Sequence, residues 1–179
     1  MPHGLRFVNT TVQECGVHID VLGEDEWERL RALRLASLLD APEAFGSRHE
    51  DVARWVEPAW REQLRRIATF VATEDGRDVG IVRGIEHADF PDAAYLVSMW
   101  VHPGARRKGV GGALIQRVVG WTAGAGRTRL FLDVRTYNDA AQRLYRAQGF
   151  VPTGERAQVE EFTELQFVRE WVSGSTSDS

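Results

Sequence analysis

The residues best suited to chemistry lie in a basic, glycine-rich turn, VHPGARRKGVGGA, at positions 101–113. The turn follows an apolar run and precedes apolar residues at helical spacing, so it predicts a helix that starts close to Gly109. The first turn of a helix leaves backbone N–H groups without partners and carries a partial positive charge. A phosphate satisfies both, and the sequence therefore predicts an anion site at this turn.

The composition of the turn indicates how the anion would be held. Glycines at positions 109, 111 and 112 let the backbone approach phosphate oxygens without a Cβ in the way. Arg106, Arg107 and Lys108 add positive charge. A Walker A loop does not fit, because Gly-Gly-Ala stands where Gly-Lys-Ser/Thr is required. A dinucleotide fingerprint does not fit either, because Leu114 occupies the place of its third glycine.

A second run with chemical potential, LFLDVRTYNDAAQRLYRAQGF, occupies positions 130–150. Asn138 is suited to cap a helix, and its side-chain amide can equally contact a ligand. Ala141 is small enough for a ligand to pass closely, although alanine is also simply a good helix former. Tyr145 follows Ala141 by one helical turn, so both lie on the same helix face.

The two runs together resemble the GCN5-related N-acetyltransferase (GNAT) superfamily. Arg106-x-x-Gly109-x-Gly111 matches the family's pyrophosphate loop, and Asn138-x-x-Ala141-x-x-Leu144-Tyr145-x-x-x-Gly149-Phe150 matches its second motif. The resemblance implies acetyl-CoA as cosubstrate, no metal, and transfer of an acetyl group to a primary amine by direct attack in a ternary complex. It also implies an α/β (α+β) fold, in which a mixed, mainly antiparallel sheet of about seven strands carries helices on both faces.

The resemblance assigns cofactor contacts residue by residue. The backbone of three residues at the end of the preceding strand would hold the pantetheine arm, the turn would hold the pyrophosphate, and the second motif would add further contacts. The implied contacts are Met99, Trp100, Val101, Arg106, Arg107, Lys108, Gly109, Val110, Gly111, Gly112, Ala113, Asn138, Ala141 and Tyr145.

Catalysis would need an acid and a base. The Tyr145 phenol is the candidate acid, since it can protonate the thiolate that leaves as CoA. Many family members carry a glutamate on the strand that here reads YLVSMWV (95–101) and has no carboxylate. Ser98 can position a water there. Asp133, Glu86 and His102 remain candidates for the base. The alternative for Asp133 is a structural salt bridge, and the alternative for His102 is a role in the turn before Pro103.

The sequence identifies the amine that accepts the acetyl group less closely than it identifies the acetyl donor. Phe45, Trp55 and Trp100 can line an acceptor pocket, although aromatic residues at helical spacing also commonly pack in a core. A small amine or a peptide α-amine is the leading prediction. A protein lysine, an aminoglycoside, or an acyl-CoA sensor without turnover are the alternatives.

Hydrophobic periodicity predicts the elements that position these residues. Positions 1–172 are expected to form one domain, followed by a disordered tail at 173–179. The second helix is expected to break near Pro58 and to start at a capping box of Ser47 and Glu50. The predicted strands are 17–21, 69–73, 79–86, 94–101 (central, because it is apolar on both faces), 129–135, a short one from Phe150, and 162–171. The predicted helices are 25–39, 48–67, 109–125 and 138–148.

The length, charge and composition of the chain limit where it can act and what it can bind. It has 179 residues, a formal net charge of −4 and one cysteine, Cys15. A mildly acidic chain is a poor candidate for binding nucleic acid. No apolar run approaches the roughly 20 residues of a membrane span, and no signal peptide is apparent. We therefore expect a cytoplasmic protein without membrane or nucleic-acid partners, and the family resemblance allows a homodimer.

Overall fold

The computed structural model describes residues 16–159 and 161–172, so Cys15 and the predicted tail lie outside the described residues. Short 3₁₀ turns occur at Glu24–Glu26, Pro42–Ala44 and Pro103–Ala105. The strands are β1 (His18–Val21), β2 (Ala68–Glu74), β3 (Arg77–Glu86), β4 (Ala93–Val101), β5 (Arg129–Arg135), β6 (Val151–Val159) and β7 (Phe162–Glu170). The helices are α1 (Trp27–Asp40), α2 (His49–Ala53), α3 (Glu57–Arg66), α4 (Val110–Gly124) and α5 (Asp139–Ala147).

The seven strands form one sheet in the order β1-β2-β3-β4-β5-β7-β6. Every neighbouring pair is antiparallel except β4 and β5, which run parallel. The predicted mixed, mainly antiparallel sheet is therefore confirmed. β4 occupies its centre, as the apolar residues on both of its faces predict.

Helices cover both faces of the sheet, each through its own apolar core. On one face the α4 stripe, with Leu114 and Val118, packs on strands β2 to β5 together with Tyr145 from α5. On the other face α1, α2 and α3 bury a second cluster against Val71 and Ile81. No helix in the described part of the chain is long and apolar enough to cross a membrane.

The expected break in the predicted helix 48–67 is present: residues 54–56 separate α2 from α3, and Pro58 lies in the first turn of α3. Two other local predictions needed correction. Ser47 is not a cap: α2 starts at His49 with Arg48 as its N-cap residue, and no side chain caps it. The strand after Phe150 is nine residues long, whereas a short strand was predicted. The prediction was too short because this exposed strand shows little of the apolar alternation by which a strand is recognised in a sequence.

The pairing of β4 with β5 is unusually brief. It covers only Ala93, Ala94 and Tyr95, opposite Arg129, Leu130 and Phe131. Beyond these residues β5 stays paired with β7 as far as Arg135, while β4 stays paired with β3 as far as Val101. The two central strands therefore diverge, and a cleft opens between their carboxyl ends.

The packing of α4 on β3 depends on Gly84. A Cβ at this position would lie 2.6 Å from Cζ3 of Trp121, a contact that a rigid indole ring cannot relieve cheaply. We expect Gly84→Ala to lower the free energy of unfolding by about 1–3 kcal/mol, the usual cost of overpacking, in urea titrations.

The matched control is Gly120→Ala in α4, where an added Cβ meets nothing within 4 Å. Alanine is the better helix former, so this change should raise the free energy of unfolding by about 0.5–1 kcal/mol. Equal stability of Gly84→Ala and the wild type would contradict the close packing of Trp121.

Candidate active site

The cleft between the diverging strands has a volume of about 650 Å³. β4 and the turn after it form one wall, β5 and α5 form the other, and the segment after α1 closes one end. Its lining includes Phe45, Ser98, Met99, Trp100, Val101, Arg106, Arg107, Gly109, Gly111, Gly112, Asp133, Asn138, Ala141 and Tyr145. Most of the residues singled out from the sequence therefore lie together, although they come from positions up to a hundred residues apart.

A β-bulge bends β4 where it borders the cleft. Arg83 pairs with Val97 and Ile81 pairs with Trp100, so Ser98 and Met99 together lie opposite Val82. Ser98 has a φ of 55°, in the left-handed region that residues other than glycine seldom adopt. Bulges and strained backbone of this kind occur often beside functional sites. Ser98 gives no glycine or proline signal, so the sequence alone did not reveal the bulge.

The start of α4 has the geometry of an anion site. Arg107 and Gly109 have φ values of 64° and 86°, and this left-handed path leads into the first turn of the helix. Gly109 is the N-cap residue and no side chain caps the helix. The first N–H groups of α4 thus have no intrahelical partner, beside a cleft that Gly111 and Gly112 line.

The two glycines also have a packing role that the sequence did not suggest. A Cβ on Gly111 would lie 3.0 Å from Cδ2 of Leu144. A Cβ on Gly112 would lie 3.1 Å from Nε2 of Gln148. Glycine at both positions therefore lets the end of α5 approach the start of α4 beside the cleft.

Three predicted cofactor contacts lie outside the lining. The Lys108 Nζ is 3.6 Å from Oε2 of Glu74 on the hairpin of β2 and β3, so its charge is directed away from the cleft. The Val110 side chain is buried in the core, and only its backbone faces the anion site. Ala113 follows the first turn of α4 and is not part of the cleft wall.

Arg106 has a structural role that sequence reasoning missed. Its Nε donates to the Val101 carbonyl over 2.9 Å, and its Nη2 forms an ion pair with Asp40 at the end of α1. The same Asp40 oxygen accepts a hydrogen bond from Nε1 of Trp100 over 2.9 Å. The Trp100 bond, followed by the Arg106 bond, holds the pKa of Asp40 below its usual range. Asp40 therefore ties α1 to the β4 wall and to the basic turn that follows β4.

Tyr145 reaches the cleft from α5, which begins directly after Asn138. The Asn138 Oδ1 accepts a hydrogen bond from the Ala141 N–H over 3.1 Å, which makes it the N-cap. The Tyr145 side chain packs edge-on against Phe150, and the residue is only 6% exposed. Burial raises the pKa of its phenol above the ordinary value, so the group stays protonated over the physiological range.

Two carboxylates line the part of the cleft formed by β5 and β7. Asp133 on β5 and Glu164 on β7 both line it, with the buried Arg135 beside them. Desolvation raises the pKa of Asp133, and the negative charge of Glu164 raises it further. The Arg135 Nη1 lies 3.3 Å from Oε1 of Glu164, and its Nε donates to the Glu43 carbonyl. Arg135 thus anchors the segment after α1 to this end of the cleft.

The remaining candidates from the sequence lie elsewhere. Trp55 is 37% exposed and packs against Trp60 at 5.1 Å between ring centroids, outside the cleft. Its place in the link between α2 and α3 directs the ring toward the second core and solvent. Glu86 is exposed and pairs with Arg127. His102 accepts from the Gly104 N–H through Nδ1, which is a turn role. Of the proposed bases, only Asp133 lines the cleft.

A model of the acetyltransferase (GNAT) family matches residues 27–150, more than half of the sequence. The chain belongs to this family. The resemblance predicted from the two motifs is therefore confirmed. Within the described residues, no group of three or more histidine, cysteine, aspartate or glutamate side chains is arranged to hold a metal ion.

Known family members show varied acceptors. The chain is 35% identical over 79 residues to an L-2,4-diaminobutyric acid acetyltransferase of Nocardia farcinica, covering 44% of this chain and 41% of the relative. It is 30% identical over 105 residues to an L-methionine sulfoximine/L-methionine sulfone acetyltransferase of Salmonella typhimurium, covering 56% and 61%. The matches therefore span between about two fifths and three fifths of these relatives.

Solved structures share the fold at low identity. One is a protein of Salmonella typhimurium solved with its cofactor acetyl-CoA, with a TM-score of 0.71 and 19% identity. The superposition covers 91% of this chain and 98% of the other. At this identity the likeness shows the fold, whereas the chemistry has to be derived from the residues of the cleft.

The Asp40 contacts predict a measurable effect on CoA binding. Asp40→Ala removes the acceptor that positions both Trp100 and Arg106, so we expect the dissociation constant of CoA to rise. A rise of about 3- to 10-fold is expected for a partly exposed, hydrogen-bonded ion pair, measured by isothermal titration calorimetry. Asp40→Asn keeps an acceptor for Trp100 without the charge and should give a smaller rise. Unchanged affinity in both variants would contradict this role.

Proposed function

We propose that the chain transfers an acetyl group from acetyl-CoA to a primary amine of a small molecule or a peptide, by direct attack in a ternary complex. One observation carries the proposal: a single cleft holds Tyr145, Asp133 and Ser98 together with the uncapped start of α4. An acid, a base and an anion site are the three parts that the reaction needs. The two curated relatives above, both named as acetyltransferases of amino-acid derivatives, support it.

The residues present fit acetyl-CoA. The free N–H groups at the start of α4, together with Arg107, would hold the pyrophosphate. The bulge at Ser98 leaves the backbone of residues 99–101 beside the cleft, where it would bind the pantetheine arm. Ala140 and Ala141 line the opposite wall and leave room for the arm. When bound, acetyl-CoA supplies the thioester that the amine attacks.

Asp133 is the proposed general base. Its raised pKa brings it closer to neutral pH, where a carboxylate accepts a proton more readily from an ammonium group. Asp133 would take this proton directly or through a water that Ser98 positions. The neutral amine would then attack the thioester carbonyl carbon, where a backbone N–H near Trp100 or Val101 would stabilise the negative charge on the oxygen. As the C–S bond breaks, Tyr145 would give its proton to the sulfur, and it would recover a proton from the newly acylated nitrogen directly or through water. CoA then leaves as a thiol and the product is a neutral amide.

The role of Tyr145 as acid predicts a selective loss of rate. Tyr145→Phe should lower kcat about 100-fold, the usual contribution of a general acid, and change the KM for acetyl-CoA less than about twofold. The assay is the release of free thiol. Tyr137→Phe is the matched control, because Tyr137 is exposed and outside the cleft lining. Unchanged kcat in Tyr145→Phe would rule out this role.

The role of Asp133 as base predicts a shift with pH. Activity requires the ionised carboxylate, so kcat/KM should fall as pH drops through a pKa above the ordinary 3.9 or so of aspartate. Glu164→Gln removes a nearby negative charge and should move this acid limb to lower pH. Asp133→Asn should lower kcat/KM about 100-fold.

Glu86→Gln is the control for both carboxylate variants, since Glu86 lies outside the cleft lining. The measurement is the pH profile of thiol release for all four proteins. An acid limb that stays in place when Glu164 is changed would contradict the assignment of Asp133.

The thiol-release assay also distinguishes the other acceptor classes and a sensor without turnover. A panel of small amines, peptides, lysine-containing proteins and aminoglycosides tests the acceptor class, and strong inhibition by salt would indicate a polycationic acceptor. Binding of acetyl-CoA without thiol release for any acceptor would favour a sensor. The missing carboxylate on β4 was the support for a sensor, and Asp133 in the cleft weakens it.

Cellular setting and assembly remain predictions from the sequence. We expect the reaction to take place in the cytoplasm, without nucleic-acid or membrane partners. A homodimer is allowed by the family resemblance, and light scattering of the purified chain would test it.

A further inference from the structure

Two arginines are buried between α1 and the sheet without a carboxylate partner. Arg34 on α1 is 7% exposed and Arg83 on β3 is 5% exposed. Among residues 16–159 and 161–172, no acidic oxygen lies within 4.0 Å of either guanidinium, although thirteen other ion pairs occur in this part of the chain. Buried arginines in proteins are almost always paired, so two together are unusual.

The Arg34 guanidinium makes fewer hydrogen bonds than the Arg83 guanidinium. Arg83 donates to Oγ1 of Thr69 and to Oε1 of Gln63. Arg34 makes no side-chain hydrogen bond with another described residue, and its Nη1 is shielded from solvent. Its recorded contact is the Phe45 ring, whose centroid is 5.2 Å from Cζ.

Both arginines stay charged despite this burial. Desolvation lowers the pKa of Arg34 to about 10, and desolvation together with the charge of Arg34 does the same for Arg83. These values lie well above neutral pH, so two positive charges share a desolvated region. Such an arrangement suits a site that an anion completes on binding.

Arg34 adjoins the cleft through Phe45, whose ring lies against its guanidinium and is part of the cleft lining. Neither guanidinium is itself part of that lining. The Arg83 donors face Thr69 on β2 and Gln63 on α3, so they are directed away from β4. Asp133 and Glu164 line the wall formed by β5 and β7. An anion at Arg34 would therefore lie behind Phe45, whereas the two carboxylates of the cleft suit an ammonium group.

We infer that the acceptor carries a carboxylate beside its primary amine, as an α-amino acid does, and that Arg34 binds this carboxylate with Arg83 behind it. The inference rests on the proposed function and names its substrate class. A guanidinium offers a planar pair of N–H donors that matches a carboxylate. Phe45 covers Arg34 in the free protein, so its ring would move aside or flank the bound carboxylate.

The kinetic test compares acceptors that differ only in the carboxylate. L-leucine is paired with isoamylamine, and L-phenylalanine with phenethylamine, in the thiol-release assay. We expect the wild type to favour the amino acid of each pair in kcat/KM by about 10- to 100-fold, as for hydrogen bonds to a charged group. Arg34→Met should bring this ratio close to one and leave the value for the amine within about twofold.

Arg31→Met is the matched control, because Arg31 lies almost one turn earlier on α1 and is exposed. It should keep the wild-type ratio. Arg34→Lys retains the charge without the planar donors and should keep part of the preference. A wild-type ratio near one, or equal losses for both members of each pair in Arg34→Met, would overturn the inference.

A stability measurement separates ligand binding from a structural role. Arg34→Met replaces a buried charge without a partner, so the Tm of the free protein should stay the same or rise. With CoA present, the amino acids should raise the Tm of the wild type more than the matched amines do, and this difference should vanish in Arg34→Met. A lower Tm together with no ligand-dependent difference would assign Arg34 to the fold and overturn the inference.

The thermal measurement needs no turnover. Absence of thiol release with every acceptor would therefore count against the proposed function, while amino-acid binding lost in Arg34→Met would still support the anion site. Inorganic phosphate and acetate are added in separate arms. Equal stabilisation by these free anions and by the amino acids would show a site for small anions in general and overturn the claim about the acceptor.

Discussion

The rest of the site depends on one constraint, the divergence of β4 and β5 after three residue pairs. Parallel neighbours that stayed paired to their ends would fill the sheet with backbone hydrogen bonds and leave no room for a ligand. Because each strand keeps its other neighbour, β3 or β7, the backbone of both remains satisfied along one edge while a cleft opens at the other. The helix starts that follow each strand, α4 and α5, then stand on either side of the opening and supply N–H groups, a phenol and small residues to one space.

Charges around this opening are arranged by the helices that cover it. Asp40 lies at the end of α1 and holds both Trp100 and Arg106, so one carboxylate joins the end of α1 to β4 and to the basic turn that follows β4. Arg135 holds the segment after α1 from the other wall through the Glu43 carbonyl. The segment is thus held at Asp40 and at Glu43, close to Phe45, which lines the cleft. Arg34 lies against Phe45 of this segment, and its Nη1 finds no hydrogen-bond partner among the described residues.

Much of the fold could be predicted from the sequence, because the apolar period of each element is long enough to be distinctive. The bounds of β5 were predicted to the residue, and those of β4, α4 and α5 to within a residue at each end. Predictions failed where the signal was local and weak. Ser47 had the residue type of a cap, but the helix began two residues later. β6 is exposed and polar along its length, so alternation could not reveal that hydrogen bonds to β7 extend it.

By itself the sequence determined the family, and it predicted the anion site and the role of Tyr145, since both motifs are contiguous and their spacing alone carries the information. The tertiary structure decided which charges face the cleft. Lys108 and Trp55 turned away from it, whereas Asp40, Glu164 and Arg34 gained roles that no motif indicated. The physical reason is the long separation of the partners along the sequence: Asp40 contacts Trp100 and Arg106 across sixty or more residues. Such contacts form only when α1 packs on the sheet, and pairing at that separation leaves no periodic or compositional trace in the sequence.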